Sequence, residues 1–228
     1  MVLQITKRKP EFEQKIQVKK FNSVFSNIDE FKNVVQLNES DKFKRVYLKL
    51  DAIYEKILRT ISDKCSKLSD LVEVVNGIAT GPNKEKYFAS TKLNENYKPL
   101  LMGSNIQYYK TEFENVWINY DRKLLHRARE ESIFLADEKI IMQRIRNVKL
   151  ERRIVATLDT EQYYTFNSVN NLLRKNKEYN LRYVLGVLNS KLVNYLIKNL
   201  SSNTNLTAQD LDEIPFRNIN FDINLEKD

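Results

Sequence analysis

Two stretches of helical periodicity bracket a middle that has none, and this contrast restricts the fold more than any motif in the chain. From Asn38 onward Phe43, Val46, Tyr47, Leu50, Ile53, Tyr54, Ile57, Leu58, Ile61, Cys65 and Leu68 recur at spacings of three and four. That pattern predicts one amphipathic helix over 39–67, about 40 Å long at the usual rise per residue, with Asn38 and Asp41 as a capping pair. Cys65 sits on the stripe, so it reads as a small hydrophobe and not as a nucleophile. The period returns after Asn180 in Leu181, Val184, Leu185, Leu188, Leu192, Tyr195, Leu196 and Leu200, predicting a second helix over 180–200. The run SSNTN ends it. Thr207 with Asp210 then opens a short capped helix that Pro215 stops, and Asp222, Glu226 and Asp228 mark an acidic tail.

Between the helices lie short apolar runs of strand length with polar breaks. They are 71–79 (LVEVVNGIA), the pair Tyr87-Phe88 after a Gly-Pro turn, 106–109, 116–118, 139–145 (KIIMQRI), 153–158 (RIVATL) and 163–169 (YYTFNSV). The charged run around 122–131 (RKLLHRAREE) predicts a helix among them. Ahead of the first long helix, Phe12, Gln14, Ile16 and Val18 alternate as in a half-exposed strand, and Asn27 before Asp29 and Glu30 resembles a helix start. The fold class that follows is α/β in the α+β sense: a twisted, mostly antiparallel sheet body with two long amphipathic helices. The expected parts are a connector and helix over 1–67, a globular body over 68–179, and a helix, short capped helix and tail over 180–228.

Much chemistry is excluded by what is scarce. The four glycines, at 77, 81, 103 and 186, never take the spacing of a phosphate-cradling loop. One cysteine and one histidine leave no intrachain disulfide, no Cys/His zinc site and no Cys–His dyad with spare parts. His126, beside arginines, reads as an exposed surface residue. Asp137-Glu138-Lys139 lacks the upstream acid that a metal-dependent nuclease would need, and reads as a turn entering a strand. No proline has a proline neighbour, so the Asn/Asp-Pro-Pro-aromatic loop of base amino-methyltransferases is absent. No window approaches the ~18 apolar residues of a membrane span. The chain is expected to be cytoplasmic, cofactor-free and non-catalytic by itself.

The positive charge is placed, not spread. The net charge is +8, and between 139 and 153 six cations, Lys139, Arg144, Arg146, Lys149, Arg152 and Arg153, face one acid, Glu151. On a strand over 139–146, Arg144 and Arg146 project from one face, and Arg152 and Arg153 open the next strand across a short hairpin loop. A fork of guanidiniums at a hairpin tip suits phosphate contact and bidentate reading of guanine. Asn83, Lys84 and Lys86, on the loop after Gly81-Pro82, form a second group, and Tyr108-Tyr109-Lys110 ends another strand.

Several phrases then occur together and in order: "VVNGIATGPNKEKYF", "KPLLMGSNI", "EKIIMQRI", "YYTFNSVNNLL", "YVLGVLNSKLVNYLI" and "LTAQDLDEIPF". Over about 68–217 the chain resembles the C-terminal specificity domain of Taq-type and related type IIG restriction-modification enzymes. It is also similar to the target-recognition domains of type I restriction specificity subunits. The resemblance implies a module that reads a short sequence in double-stranded DNA for an adenine methyltransferase domain or subunit. It implies S-adenosylmethionine as the cofactor of that parent, and magnesium where the parent carries a nuclease. It implies further that the chain is the C-terminal fragment of such an enzyme or a stand-alone specificity subunit. Gly77, Gly81, Asn167 and Asn189-Ser190-Lys191 match the pattern and are assigned to backbone geometry and packing before DNA contact. The candidate DNA-binding residues are Arg144, Arg146, Lys149, Arg152, Arg153, Asn83, Lys84 and Lys86. Two rival readings differ in class: a protein-interaction module built on the two long helices, and an enzyme whose active site carries no familiar motif.

Overall fold

The computed structural model describes residues 15–19, 31–36, 57, 60, 61, 65–81, 84–201, 203–212 and 214–219. The chain divides into two compact units, Met1–Thr60 and Ile61–Asp228. In the first, strands β1 (Lys15–Lys19) and β2 (Phe31–Gln36) pair antiparallel, with Ile16 opposite Val35. Of the strand expected around 12–18, the described part, from Lys15, is extended, and 12–14 lie outside the described residues. The helix start expected at Asn27 lies outside the described residues; in β2 the aromatic and β-branched Phe31, Val34 and Val35 favour extended backbone. Most of the helix expected over 39–67 lies outside the described residues. Ile57, Thr60 and Ile61 are helical, but Cys65–Lys67 is strand β3, with the Cys65 thiol donating to the Ile61 carbonyl at 2.7 Å.

The second unit continues with a helical turn α1 (Leu68–Leu71) and strands β4 (Val72–Asn76), β5 (Phe88–Ala89), β6 (Tyr97–Leu101), β7 (Ile106–Gln107), β8 (Lys110–Thr111) and β9 (Trp117–Asn119). Strands β10 (Lys139–Gln143), β11 (Ala156–Asp159), β12 (Tyr164–Thr165) and β13 (Val169–Arg174) follow. Helices α2 (Leu181–Leu188), α3 (Lys191–Leu200) and α4 (Ala208–Leu211) and strand β14 (Pro215–Arg217) complete it. One sheet has the order β11-β10-β13-β4, antiparallel throughout; a second has the order β12-β6-β9-β5, with only β12 and β6 parallel. This is an α+β fold, as the sequence pattern implies.

The first sheet is covered on both faces. Ile140, Met142, Ala156 and Leu172 point to one side and pack on Leu181, Val184, Leu188, Val193 and Ile197 of α2 and α3. Ile141 and Val169, one residue out of phase, point to the other and meet Leu101, Ile106 and Val155. Such a strand needs no polar face, and all five residues of β10 are buried. At its start Lys139 lies opposite Asp159 on β11, in an ion pair of 2.5 Å with neither side chain exposed. Lys139 Nζ also donates to the Phe134 carbonyl at 2.7 Å, and the Asp159 carboxylate accepts the amides of Glu161 and Tyr163. The pair survives burial because its remaining hydrogen-bonding capacity is used.

The chain passes between the two sheets at Gly77. Its amide donates to Val169 O at 3.0 Å, and the Ile78 amide donates to Thr165 O at 2.8 Å. A Cβ on Gly77 would lie 2.2 Å from Phe166 O and 2.4 Å from Thr165 O. Only glycine fits there. The second sheet encloses Ile78, Leu100, Ile118, Tyr120, Leu125, Phe134 and Tyr164.

Two predicted helices differ from expectation. The segment 122–131 is a turn: Asp121 accepts the amides of Lys123 and Leu125, and the Arg127 amide donates to Ala79 O at 2.9 Å, drawing the chain into a bridge. The span 180–200 is two helices, broken at Asn189-Ser190. Ser190 Oγ caps α3 by accepting from the Val193 amide, and the Asn189 carboxamide pairs with both the N–H and the C=O of Ala156, as another strand would. Helix α4 is capped by the reciprocal Thr207 and Asp210 contacts, as the spacing predicts, and ends at Leu211; Pro215 opens β14, which pairs with β3.

Candidate nucleic-acid interface

The basic segment is a loop of twelve residues, 144–155, and not the short hairpin turn that the spacing suggests. Strand β10 ends at Gln143 and β11 begins at Ala156. The first residues of the loop run beside 204–206, since Arg146 N donates to Thr204 O at 3.0 Å and Leu206 N donates to Arg144 O at 2.9 Å. The loop's last residues are tied to α3, where Asn194 Oδ1 accepts the amides of Arg153 at 2.7 Å and Ile154 at 2.8 Å. Both feet are therefore held, and the tip is presented.

The six cations separate into three fates. Lys139 is buried in its ion pair. Arg153 is also fully buried, donating to the carbonyls of Ser201 at 3.3 Å and Asn203 at 2.5 Å just beyond the C-terminus of α3. A cation suits that end of a helix, where carbonyls lack partners, and burial pushes its pKa down against the pull of Asp210. Arg153 is thus a structural latch and is removed from the DNA-contact set. Arg144 and Arg146 are half-buried: Arg144 donates to Asn167 O at 2.9 Å, and Arg146 donates to Arg152 O at 3.0 Å and to the Gln143 side-chain oxygen. Burial lowers the Arg146 pKa. Lys149 and Arg152 are exposed.

Arg152 is also oriented. Its guanidinium lies 4.4 Å from the centre of the Tyr108 ring, and the Tyr108 hydroxyl donates to Asn189 O at 2.7 Å. Tyr108 and Tyr109 form the turn between β7 and β8 and do not end a strand, with Tyr109 at φ 64° and half exposed. The turn is pinned to β11 by the Tyr109 amide, which donates to Ala156 O at 3.2 Å. Aromatic turn, Arg152 and the α2–α3 junction therefore converge, which local sequence could not reveal because three distant segments supply the parts.

The second group is placed differently. Asn83 lies outside the described residues. Lys84–Tyr87 is a 3-10 turn on which Lys86 is exposed. The Tyr87 hydroxyl donates to Leu124 O at 2.9 Å, so this turn docks on the 121–127 turn. Exposed Lys123, His126 and Arg127 are thereby brought to the same end as Lys86, and Gly81, at φ +79°, faces His126. Among the described residues no three His, Cys, Asp or Glu side chains gather as a metal site, and no helix is long and apolar enough to cross a membrane.

A "Putative type II restriction enzyme and methyltransferase" of Methanocaldococcus jannaschii is 29% identical over 211 residues, 86% of this chain, which spans 17% of that protein's length. Two solved structures show weak likeness. The HsdS subunit from Thermoanaerobacter tengcongensis matches at a TM-score of 0.42 and 11% identity, over 72% of this chain and 39% of that one. The type IIL restriction-modification enzyme MmeI in complex with DNA matches at a TM-score of 0.42 and 8% identity, over 90% and 29%. Residues 98–216, more than half of the chain, match the TaqI-like C-terminal specificity domain, and the chain belongs to that family.

Proposed function

We propose that this chain is the double-stranded DNA target-recognition module of a restriction-modification enzyme. Loop 144–155 and the Tyr108-Tyr109 turn form its reading surface. Family membership is the observation that carries the reading, over a stretch that includes both segments. Lys149 and Arg152 are the exposed cations that meet phosphates or a guanine edge; Arg144 and Arg146 shape the loop that carries them. Lys86, exposed on its 3-10 turn, is a second candidate for phosphate contact, with Asn83 and Lys84 its neighbours in sequence.

Reading and chemistry are divided between domains. An adenine methyltransferase domain or subunit, holding S-adenosylmethionine, is the partner that the module directs, with magnesium where a nuclease accompanies it. The 228 residues contain neither the Asn-Pro-Pro-aromatic loop nor a glycine-rich cofactor motif, and the chain by itself neither transfers methyl groups nor cuts.

Selection of bound duplexes from a randomised pool tests the reading directly. A short motif is expected to be enriched, with log K falling against log[salt] at a slope of roughly −4 to −5 if about five phosphates are contacted. Lys149→Ala with Arg152→Ala is expected to erase the preference at one or more positions, at about 1–3 kcal/mol of discrimination for a lost bidentate pair. Affinity that is flat between low and physiological salt, with no motif enriched, overturns it.

A further inference from the structure

The break at Asn189-Ser190 does more than end α2. Continuing the spacing of α2 through it would bury Leu192 and Tyr195, yet in α3 the buried residues are Val193, Asn194, Leu196 and Ile197, while Leu192 is 43% and Tyr195 37% exposed. The buried face has turned by about one residue. Lys191, Tyr195 and Lys198, at i, i+4 and i+7, consequently share the outward face.

That face forms one wall of an open cleft of 240 Å³. Glu151 and Arg152 of the loop form the other, and Asn194 lies between them. Three cations and one carboxylate line it. Among the described residues Lys191, Lys198 and Arg152 have no ion-pair partner. Lys191 and Lys198 stand about 10 Å apart along the helix axis, with Arg152 held across the cleft by Tyr108. A single small anion cannot meet charges so separated, whereas a string of phosphates can.

We propose that this cleft holds the sugar-phosphate backbone of the duplex, with α3 as a ruler that registers loop 144–155 on the bases. The proposal rests on the DNA-recognition reading above and adds to it a sequence-independent contact made by a helix. The register follows from Asn194: the helix that meets the backbone is the one whose buried carboxamide holds the loop at Arg153 and Ile154. Phosphate contacts position and base contacts specify, and here one residue joins the two.

The test compares the full chain with Lys191→Ala/Lys198→Ala on several duplexes of unrelated sequence, by anisotropy titration across a salt series. Circular dichroism and thermal unfolding report that the exposed substitutions leave the fold intact. The double variant is expected to lose affinity by a similar factor on every duplex, with the salt slope reduced by ~2. Lys191→Arg/Lys198→Arg is expected to retain the parent slope. A folded double variant with the parent's slope overturns the cleft while leaving DNA recognition standing, and a loss confined to one sequence overturns the sequence-independent role. A parent chain with no salt-dependent binding removes both readings together.

Discussion

Arg152 and Arg153 are neighbours in sequence with opposite fates, and the difference is one of register. Strand-like backbone sends successive side chains to opposite sides. Arg152 therefore meets solvent and the Tyr108 ring, while Arg153 enters the protein and donates to Ser201 and Asn203. Arg153→Ala is expected to destabilise the fold by about 3 kcal/mol, because two carbonyls lose a charged donor and a large buried side chain leaves a cavity. Urea unfolding measures it, and a variant as stable as the parent would show that the latch is idle. The paired arginines earlier in the loop carry a milder form of the same duty. Arg144→Ala with Arg146→Ala strips donors from Asn167 O, Arg152 O and Gln143, so it is expected to lower stability by about 1–3 kcal/mol as well as weaken DNA binding. A loss of binding with unchanged unfolding would return both guanidiniums to the surface set.

Elements were legible where one period ran through one environment. The capped turn at Thr207, the apolar β10 and the onset of helix at Leu181 all follow from local pattern, and the structure contains each. The break at Asn189-Ser190 is hidden because Leu188 and Leu192 keep a helical spacing across it, although their environments differ: one is fully buried, the other 43% exposed. The Ser190 cap was the readable clue. At 122–131 the reverse occurred, since charge suggested a helix that the backbone bond from Arg127 to Ala79 overrides. The proposed reading surface was half legible: its cations stand out in the sequence, but burial and the Tyr108 contact depend on segments far apart in the chain. The crossing between the sheets allows a sharp test. Gly77→Ala places a Cβ against the backbone oxygens of Phe166 and Thr165, which strands must separate to admit, and is expected to cost about 1–3 kcal/mol. Thermal unfolding of Gly77→Ala beside Gly186→Ala, where an added Cβ meets nothing within 4 Å, isolates the effect; equal stability of the two would mean that the crossing yields easily.

Across the whole molecule, tyrosines tie the second sheet to its loops, and their titration sets a limit on stability at high pH. Tyr164 donates to Glu131 and Tyr120 to the carbonyl of Arg129, with the Tyr164 ring stacked on Phe134. Burial first, and then the charge of the Glu131 carboxylate, hold both hydroxyls above the ordinary value of 10.0; Tyr163 and Tyr183 are raised as well, chiefly by burial. Above pH 10 the unfolded chain releases these protons while the folded chain keeps them, so unfolding is favoured and stability falls as pH rises. Lys139 acts in the opposite sense, because burial lowers its pKa from 10.5 and unfolding lets it take up a proton. Its influence therefore ends where that of the tyrosines begins. Denaturant unfolding followed across pH 10 is expected to show a loss that steepens above that value, with the phenolate absorbance of the buried Tyr120 and Tyr164 appearing together with unfolding. Tyr164→Phe removes one of the shifted groups, so its curve is expected to fall less steeply by one proton although it starts lower for want of the Glu131 contact. An unchanged slope in that variant would place the alkaline sensitivity outside the buried cluster.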